Sequence, residues 1–313
     1  MKKILLASTA MVAFAGAAAA EVSLGGSAEV GVHSWRGSHD VFFTDVDVDF
    51  DMTGEADNGL TFGASVDLDE SDDGEAFDET SGGGVNYFLA YGGARLDAGD
   101  VDGALDAALT EVNVVGGSIN DDETEHTGFS GNSELDSDGQ VFTFSYSFDA
   151  FTGYASIMQN NEGADEETYG IGASYATEFA GAAVGFGIGY QTQEDFAEMW
   201  GVSADAEMVN GFAAAVNYTE IDYEDGEDAT HWAVGLGYTI NAFAIGVNYG
   251  EYDNRRYVDS DTDAVSFVDV DGLGVAMTYD LGGGLVAQAG YGMNDEDSPT
   301  PEDTYSVGLA MSF

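Results

Sequence analysis

One short segment carries a carboxylate at every second position: Asp45, Asp47, Asp49 and Asp51. The residues between them are apolar, from Val46 to Met52. Because successive side chains of a β-strand point to opposite faces, the segment predicts a strand with one acidic and one apolar face. Neighbouring carboxylates on that face lie roughly 6.6–6.8 Å apart and repel each other by about 0.6 kcal/mol at the dielectric constant of water. Such a ladder must hold cations or keep some of its carboxylates protonated.

A second group of acidic residues follows the fifth predicted strand. The segment from residue 101 to residue 139 has no convincing strand pattern; it opens with a helix-compatible stretch, Leu105–Val112, and continues with glycines and acids. The candidate site residues in and beside it are Asp100, Asp102, Asp106, Glu111, Asp121, Asp122, Glu123 and Glu125. A loop of this length inside a compact domain is usually functional or disordered.

The elements that must position these acids are strands. Apolar residues alternate with small or polar ones in segment after segment, for example Phe142–Phe148, Val184–Tyr190, Phe243–Tyr249 and Tyr305–Phe313. Helical spacing fits none of them. Many segments begin or end with an aromatic residue, which suits the aromatic girdles of a membrane barrel. We therefore predict an all-β fold, an antiparallel barrel of about sixteen strands.

The N-terminus is typical of a secretory signal peptide. Lys2 and Lys3 precede the apolar stretch Ile4–Phe14, and Ala18–Ala20 offers a cleavage site. We expect residues 1–20 to be a signal peptide and residues 21–313 to form one barrel domain. An N-terminal membrane anchor is the alternative, but this apolar stretch is short for one. Export together with strands of about ten residues predicts a transmembrane barrel in the outer membrane of a Gram-negative bacterium.

The connectors alternate in length. Short turns separate some strands, whereas longer acidic connectors, among them Gln193–Met199 and Glu251–Val265, separate others. Short periplasmic turns and long external loops are typical of bacterial barrels. Both termini then lie on the short-turn side, which requires an even number of strands. Sixteen strands would enclose an aqueous channel.

The charge balance is strongly acidic. The chain has 59 acidic and 6 basic residues, a formal net charge of −53. Removal of the signal peptide would leave only Arg36, Arg95, Arg255 and Arg256 as basic residues. Nucleic acid is therefore excluded as a partner, because binding it requires Lys or Arg to neutralise phosphates. We expect Arg95 to pair with Asp97, and Arg255 and Arg256 to neutralise acids in a long external loop.

The sequence gives no support for an enzyme. The four histidines are scattered, without the spacing of a zinc site, and the absence of cysteine excludes a thiol catalyst. We expect no organic cofactor. Two acidic stretches, Asp69–Glu75 and Asp259–Asp263, match a calcium-binding loop only in part, and Ca²⁺ or other divalent cations at the acidic loops are left open.

Four stretches carry a resemblance to a known family. They are Glu21–Gly26 at the expected mature start, Met52–Ser65 across the second hairpin, Gly92–Asp100 ahead of the long segment, and Tyr279–Gly284 at the last turn. In this order and spacing, over essentially the whole mature chain, the sequence resembles the alphaproteobacterial general porins, the Rhodobacter-type family of Gram-negative outer-membrane porins. The resemblance implies a homotrimer of sixteen-stranded barrels. In each, the third loop, about 101–139, folds inward, and small hydrophilic solutes diffuse passively.

The sequence departs from that family on the second strand. Such porins set an acidic constriction loop against a basic cluster, to which the second strand contributes arginines, whereas here the matching positions are Asp45, Asp47, Asp49 and Asp51. Rings of Asp and Glu are a known device for cation preference. The hypothesis is a cation-preferring constriction between this ladder and the acids of the long segment; the alternative is that these acids form a solvated, salt-adapted surface.

Two other functions are compatible with the sequence. One is a structural or adhesive outer-membrane barrel with a plugged lumen, which acts through its acidic external loops. The other is a soluble, secreted, acidic β-sandwich, since such sandwiches also alternate. The fold of the long segment distinguishes a channel from a plug, because a channel requires a passage for water.

Overall fold

The structure is a computed structural model, and it describes residues 20–34, 40–70, 84–119, 135, 139–160, 167–224, 226–258, 264–296 and 302–313. Residues 1–19 of the predicted signal peptide lie outside the described residues, so cleavage there stays a prediction. Among the described residues, no helix is long and apolar enough to cross a membrane.

The described chain forms sixteen antiparallel strands and one short helix. Five strands precede the helix α1 (Ala104–Ala108): β1 (Glu21–Ser34), β2 (Asp40–Glu55), β3 (Thr61–Glu70), β4 (Val85–Tyr91) and β5 (Ala94–Gly99). The strands that follow it are β6 (Gly139–Phe148), β7 (Phe151–Asn160), β8 (Thr168–Phe179), β9 (Ala182–Gln193), β10 (Ala197–Met208), β11 (Phe212–Tyr223), β12 (Ala229–Ile240), β13 (Phe243–Val258), β14 (Val265–Gly282), β15 (Leu285–Glu296) and β16 (Glu302–Ser312).

The sheet closes on itself. Every strand pairs with its neighbours in sequence, and β1 pairs with both β2 and β16. Ser27, for example, lies opposite Asp47 on β2 and opposite Ser312 on β16. Closure removes the two free edges that an open sheet would expose. The predicted all-β fold of about sixteen antiparallel strands is therefore confirmed.

The outer wall of the barrel is apolar. Phe42 on β2 is 84% exposed, and Phe179, Ile188 and Leu236 on other strands are also well exposed. Aromatic pairs lie near both ends of the wall, with ring centroids 5.5 Å apart for Trp200 and Tyr218 and 4.5 Å apart for Phe212 and Tyr238. The inner face instead carries mainly glycine, alanine and polar side chains, which is the arrangement expected of a barrel in lipid.

Two expectations about connectors are wrong. The connector between β9 and β10 comprises only residues 194–196, because the pairing continues to Gln193 opposite Ala197. Arg255 and Arg256 are not in a loop: they lie on β13, where they pair in register with Val268 and Phe267 of β14. A bulge between Tyr252 and Arg255 precedes this extra pairing and adjusts the register.

The helix is shorter than the stretch that predicted it. It ends at Ala108, because the following Leu109 has extended backbone angles of φ −93° and ψ 164°. The chain beyond it has to follow the barrel wall, which a straight helix through Val112 would leave. The expectation that the segment contains no strand is confirmed over its described residues 101–119.

Candidate functional site

After β5 the chain enters the barrel and runs along its inner wall. Helix α1 packs against β7, β8 and β9. Two hydrogen bonds fix the start of this path: the Thr143 hydroxyl donates to the Asp102 carbonyl oxygen over 2.6 Å, and the Ala104 N–H donates to Ser156 Oγ over 2.8 Å. The path continues past β10 to β16 and ends at Ile119, which contacts β16 and β1. We call residues 101–119 the wall loop.

Glycines on the inner face make room for the wall loop. At Gly235 of β12, an added Cβ would lie only 1.7 Å from the Val112 carbonyl oxygen. Further positions where it would fall within 2.9 Å of a wall-loop atom are Gly31, Gly172, Gly187, Gly189, Gly201, Gly237, Gly246 and Gly308. These positions follow the loop around the barrel, and only a residue without a side chain lets backbone or side-chain atoms of the loop approach the strand this closely.

Apolar side chains of the wall loop pack into the wall. Leu105 and Leu109 form a buried cluster with Met199 of β10 and Ile221 of β11. Val112 forms a second cluster with Ala215 and Ala233. The hydrophobic core of this barrel therefore lies between the loop and one side of the inner wall. The described part of the segment lines the lumen instead of crossing it.

The acidic ladder lies on the opposite side of the lumen. Asp45, Asp47 and Asp49 are partly buried and Asp51 is exposed, all four on the inner face of β2. The Ser27 hydroxyl donates to Asp47 Oδ2 over 2.7 Å. At the outer end of the ladder, inward-facing Phe43 is buried and packs edge-on against His33, with ring centroids 5.7 Å apart.

Two carboxylates that sequence reasoning missed join the ladder. Glu29 of β1 lies directly opposite Asp45, and Asp67 of β3 lies directly opposite Asp49. Directly opposite residues of antiparallel strands share a face, with Cβ atoms roughly 4.5–5.5 Å apart. Asp67 alternates with Val66 and Leu68 as the ladder does, a signal that could have found it. Glu29 alternates with Ala28 and Val30 in the same way, but its place beside Asp45 depends on the register of β1 against β2. We call these six residues of β1–β3 the acidic wall.

The predicted acids of the long segment do not form one group. Asp100 accepts a hydrogen bond from the Gly84 N–H over 3.2 Å, at the end of the barrel wall. Asp106 lies on α1 beside Asp102, whereas Glu111 lies where the loop crosses from β10 to β12, eight strands around the barrel from β2 and β3. Asp121, Asp122, Glu123 and Glu125 lie outside the described residues, and their place in the site stays a prediction.

Asp102 titrates differently from an ordinary aspartate. Its side chain reaches the water of the lumen but is enclosed by the barrel wall, and this partial burial raises its pKa. The neighbouring Asp106 carboxylate raises the pKa further, because two like charges disfavour ionisation. The carboxylates at the start of the wall loop are therefore held close enough to influence one another.

The described arginines contribute little positive charge to the lumen. Arg95 of β5 lies on the inner face, its guanidinium 4.3 Å from the centre of the Phe88 ring. Its Nε donates to both carboxylate oxygens of Asp97 at 2.8 Å, so the predicted ion pair is confirmed. Arg256 packs over the Phe196 ring at 5.1 Å, against the first apolar cluster. Arg36 lies outside the described residues.

The described part of the chain offers no set of ligands for a resident metal ion. Within it, no group of three or more His, Cys, Asp or Glu side chains is arranged to hold a metal ion. The two acidic stretches that resemble part of a calcium loop, Asp69–Glu75 and Asp259–Asp263, have side chains outside the described residues. Divalent cations at these loops stay a prediction.

A closed sixteen-stranded barrel with an apolar outer wall and a long segment along its lumen defines an outer-membrane channel protein. The family model described as Gram-negative porin matches residues 7–299, so the chain belongs to the Gram-negative porin family. Proteins of this family and fold are outer-membrane channels for passive diffusion.

Individual relatives agree with this assignment. The chain is 28% identical to a porin of Rhodobacter capsulatus over 94% of this chain and 100% of that protein. It is 29% identical to a porin of Fuscovulum blasticum over 43% of this chain and 50% of that protein. A porin structure refined at 1.8 Å matches with a TM-score of 0.69 and 24% identity, and a triple mutant of the Rhodopseudomonas blastica porin with 0.68 and 19%. Both structures cover 94% of this chain and are covered completely.

The contact at Gly235 predicts an effect of one methyl group. Gly235→Ala would place a Cβ against the Val112 carbonyl oxygen, and we expect a loss of about 1–3 kcal/mol of stability from overpacking. Urea-induced unfolding in detergent micelles measures this. Gly153→Ala is the matched control, since a Cβ there meets no atom within 4 Å. Equal stability of the two variants would contradict the close seating of the loop.

Because the pKa of Asp102 is raised, we predict that Asp102→Asn stabilises the protein to an extent that depends on pH. The folded protein holds the proton more tightly than the unfolded chain, so ionised Asp102 costs stability above its raised pKa. The variant should therefore resist urea better than the wild type at pH 7. This advantage should shrink as the pH falls through the raised pKa and vanish below the ordinary value of 3.8. Asp57→Asn removes the same charge from the exposed β2–β3 turn and is the control for that change alone. An advantage of Asp102→Asn over the wild type that does not change with pH would contradict the assignment.

Proposed function

We propose that this porin is a cation-preferring channel for small hydrophilic solutes and ions, with the acidic wall as its selectivity element. The observation that carries the proposal is the register of β1–β3. It gathers Glu29, Asp67 and the four ladder aspartates on one lumen face. The nearest lumen arginine on the neighbouring strands, Arg95, is already paired with Asp97.

The size of the effect follows from Coulomb's law. A cation about 7 Å from one carboxylate gains about 0.6 kcal/mol at the dielectric constant of water, and a salt solution of 0.1 M with a Debye length of about 10 Å roughly halves that. Each acid of the wall thus favours a cation over the bulk by about two-fold and disfavours an anion similarly. Six such groups on one wall are sufficient for a clear preference. Glu111 on the far side of the lumen adds to it.

The placement of the acids favours selectivity over a general adaptation to salt. From Asp45 to Met52, the carboxylates of β2 occupy only the lumen face, while Phe50 and Met52 on the other face are exposed on the outer wall. Ser27 and Gly25 on the inner face of β1 lie opposite Asp47 and Asp49, so no bulky side chain of β1 stands directly beside these two carboxylates. Ions that cross the barrel must therefore pass a wall of negative charge.

The seating of the wall loop favours a channel over a plugged barrel. Apolar clusters, glycine contacts and hydrogen bonds all hold residues 101–119 against the side of the lumen. A plug would instead pack side chains against the acidic wall as well. Within the described chain, the side of the lumen formed by β2–β5 faces the loop without being covered by it.

We also propose that the protein assembles as a homotrimer through the sector around β4 and β5. These strands have 7 and 6 residues, compared with 16 and 18 in β13 and β14. Six residues extend about 20 Å, and a tilt of about 40° leaves roughly 15 Å of wall, less than the apolar band of about 25 Å that a barrel presents to lipid. The outward residues Tyr87, Leu89 and Tyr91 are nevertheless apolar or aromatic and well exposed. We call this short apolar part of the outer wall, formed by β4 and β5, the low wall. A neighbouring barrel would cover it.

Neutralising the ladder tests the selectivity. The variant D45N/D47N/D49N/D51N removes four negative charges from the lumen and keeps the size of each side chain. We expect the cation-to-anion permeability ratio to fall by several-fold, because each lost carboxylate removes an attraction for cations and a repulsion for anions. The measurement is the reversal potential across a planar bilayer in a KCl gradient.

A control removes the same charge elsewhere. D57N/D149N/E194Q/D195N neutralises four acids in turns at the barrel ends, and its reversal potential should stay close to that of the wild type. If the two variants behave alike, or if the wild type prefers anions, the acidic wall is not the selectivity element. A folded wild-type protein that conducts no current would favour the plugged, adhesive barrel.

A charge on the low wall tests the trimer. Leu89→Asp places a carboxylate in the proposed contact, where burial without a partner is unfavourable, so we expect trimers to dissociate into monomers. Leu236→Asp is the matched control on the far wall, with 57% exposure compared with 47% for Leu89, and should stay trimeric. Light scattering of the detergent-solubilised proteins gives the mass. Trimers of both variants, or monomers of both, would argue against this interface.

A further inference from the structure

The acidic wall presents its β2 carboxylates in a row with a regular spacing. Asp47 is held from β1 by the Ser27 hydroxyl, which donates to Asp47 Oδ2 over 2.7 Å. Asp49 leans in the same direction, since a Cβ added to Gly25 of β1 would lie 3.4 Å from Asp49 Oδ2. Both carboxylates therefore turn towards β1, and their separation keeps the strand repeat of roughly 6.6–6.8 Å.

This spacing is too wide for consecutive carboxylates to share one compact ion. A divalent metal ion takes its oxygen ligands at about 2.0–2.6 Å, so two oxygens that share it lie at most about 5 Å apart. In the part of the chain that the structure describes, no three His, Cys, Asp or Glu side chains are arranged to hold a metal ion. The row can engage several charges at once only when those charges are themselves separated along a chain.

A linear diamine with four carbons has this separation. Five bonds of about 1.5 Å join its two nitrogens, and an extended chain advances roughly 1.25 Å per bond, which gives about 6.3 Å between the ammonium groups. Each ammonium can therefore lie on one of two successive carboxylates. Ser27 and Gly25 of β1 lie opposite Asp47 and Asp49, and their small side chains leave room for the methylene groups in between.

A buried histidine extends the row at its outer end. His33 of β1 is 6% exposed, and neither of its ring nitrogens has a hydrogen-bond partner among the residues that the structure describes. It lies opposite Val41, but its ring packs against Phe43, two residues closer to Asp45. The imidazole therefore leans towards the acidic wall. Because a neutral imidazole has an acceptor nitrogen and a buried polar group without a partner is unfavourable, an ammonium group that donates to His33 is stabilised there.

We propose that the acidic wall is a binding track for linear polyamines, solutes whose ammonium groups are separated by about four carbons, and that these solutes pass through the channel along it. Successive ammonium groups lie on successive carboxylates between Asp51 and Asp45, and the outermost one reaches His33. A longer amine therefore occupies more of the row at once. The inference rests on the cation-preferring channel proposed above and adds the class of solute that this channel admits.

Block of the potassium current in planar bilayers tests the spacing. Butane-1,4-diamine and the magnesium ion carry the same charge, but the two charges of magnesium lie at one point. The half-blocking concentration of the diamine should be about five-fold lower, because its second ammonium gains a second carboxylate at about 4 Å and the dielectric constant of water. At larger voltages the block should weaken again as the amine leaves on the far side. Equal block by the two cations, or a block that only deepens with voltage, would overturn the proposal.

Two variants with equal charge separate spacing from charge. D47N/D51N leaves Asp45 and Asp49, roughly 13 Å apart, whereas D49N/D51N leaves Asp45 and Asp47 at the repeat of roughly 6.7 Å. Butane-1,4-diamine should block D49N/D51N at a concentration about five-fold lower than D47N/D51N. The reversal potential in a KCl gradient should be the same for both, because each has lost two negative charges.

The two measurements distinguish failure of the track from failure of the channel proposal. Equal diamine block in the two double variants, with a cation preference of the wild type in KCl, would overturn only the track. A wild type without a cation preference in KCl would overturn the selectivity proposed above and the track with it.

His33→Phe tests the outer end of the row. The substitution keeps a ring against Phe43 and removes both ring nitrogens. Block by spermine, which has four nitrogens, should be about five-fold weaker, as expected for one lost hydrogen bond. Block by butane-1,4-diamine and the reversal potential in KCl should stay unchanged, since the row of carboxylates is intact. Spermine block equal to that of the wild type would overturn the place given to His33.

Discussion

A chain that crosses lipid must satisfy every backbone hydrogen bond internally, because the hydrocarbon offers no partner and each unpaired group costs several kcal/mol. The rest of this structure depends on that constraint. It forces the sixteen strands to close, with β1 paired to both β2 and β16. Closure makes alternate residues face the lipid and the lumen. The face towards the lumen can therefore carry polar residues. The four ladder aspartates of β2 are tolerated because they all fall on that face.

The distribution of charge follows from the same division. A chain with a net charge of −53 repels itself strongly, which destabilises the compact state, and water and ions that screen the charge reduce this cost. The lumen provides both. In the proposed function, carboxylates placed there by the register of β1–β3 would concentrate cations in the channel. The negative charge that destabilises the fold would then also select the permeating ion.

The hydrophobic core of this protein lies in an unusual place. The outer wall is apolar but faces lipid, so it provides no core of its own, and the buried apolar side chains lie between the wall loop and β10–β12. Glycines from β8 around to β1 allow the loop to lie close to the wall. The barrel thus has one side with packed, glycine-rich walls and one side with open, acidic walls. On the packed side, Thr110 of the wall loop donates hydrogen bonds to Ser203 and Asp205 of β10.

Much of this architecture is local information that the sequence carries by itself. Period-two alternation determined the sixteen strands, the two faces of each strand and the single-face ladder of Asp45 to Asp51, because the direction of a side chain on a strand depends only on its position along that strand. The pair Arg95 and Asp97, two residues apart on one strand, was predictable for the same reason. The tertiary structure decided what depends on pairing between distant segments. Register alone brought Glu29 beside Asp45 and placed Arg255 and Arg256 on β13. The hydrogen bonds of Thr110 join residues 93 to 107 positions apart. No local pattern specifies which of the sixteen strands the wall loop will contact.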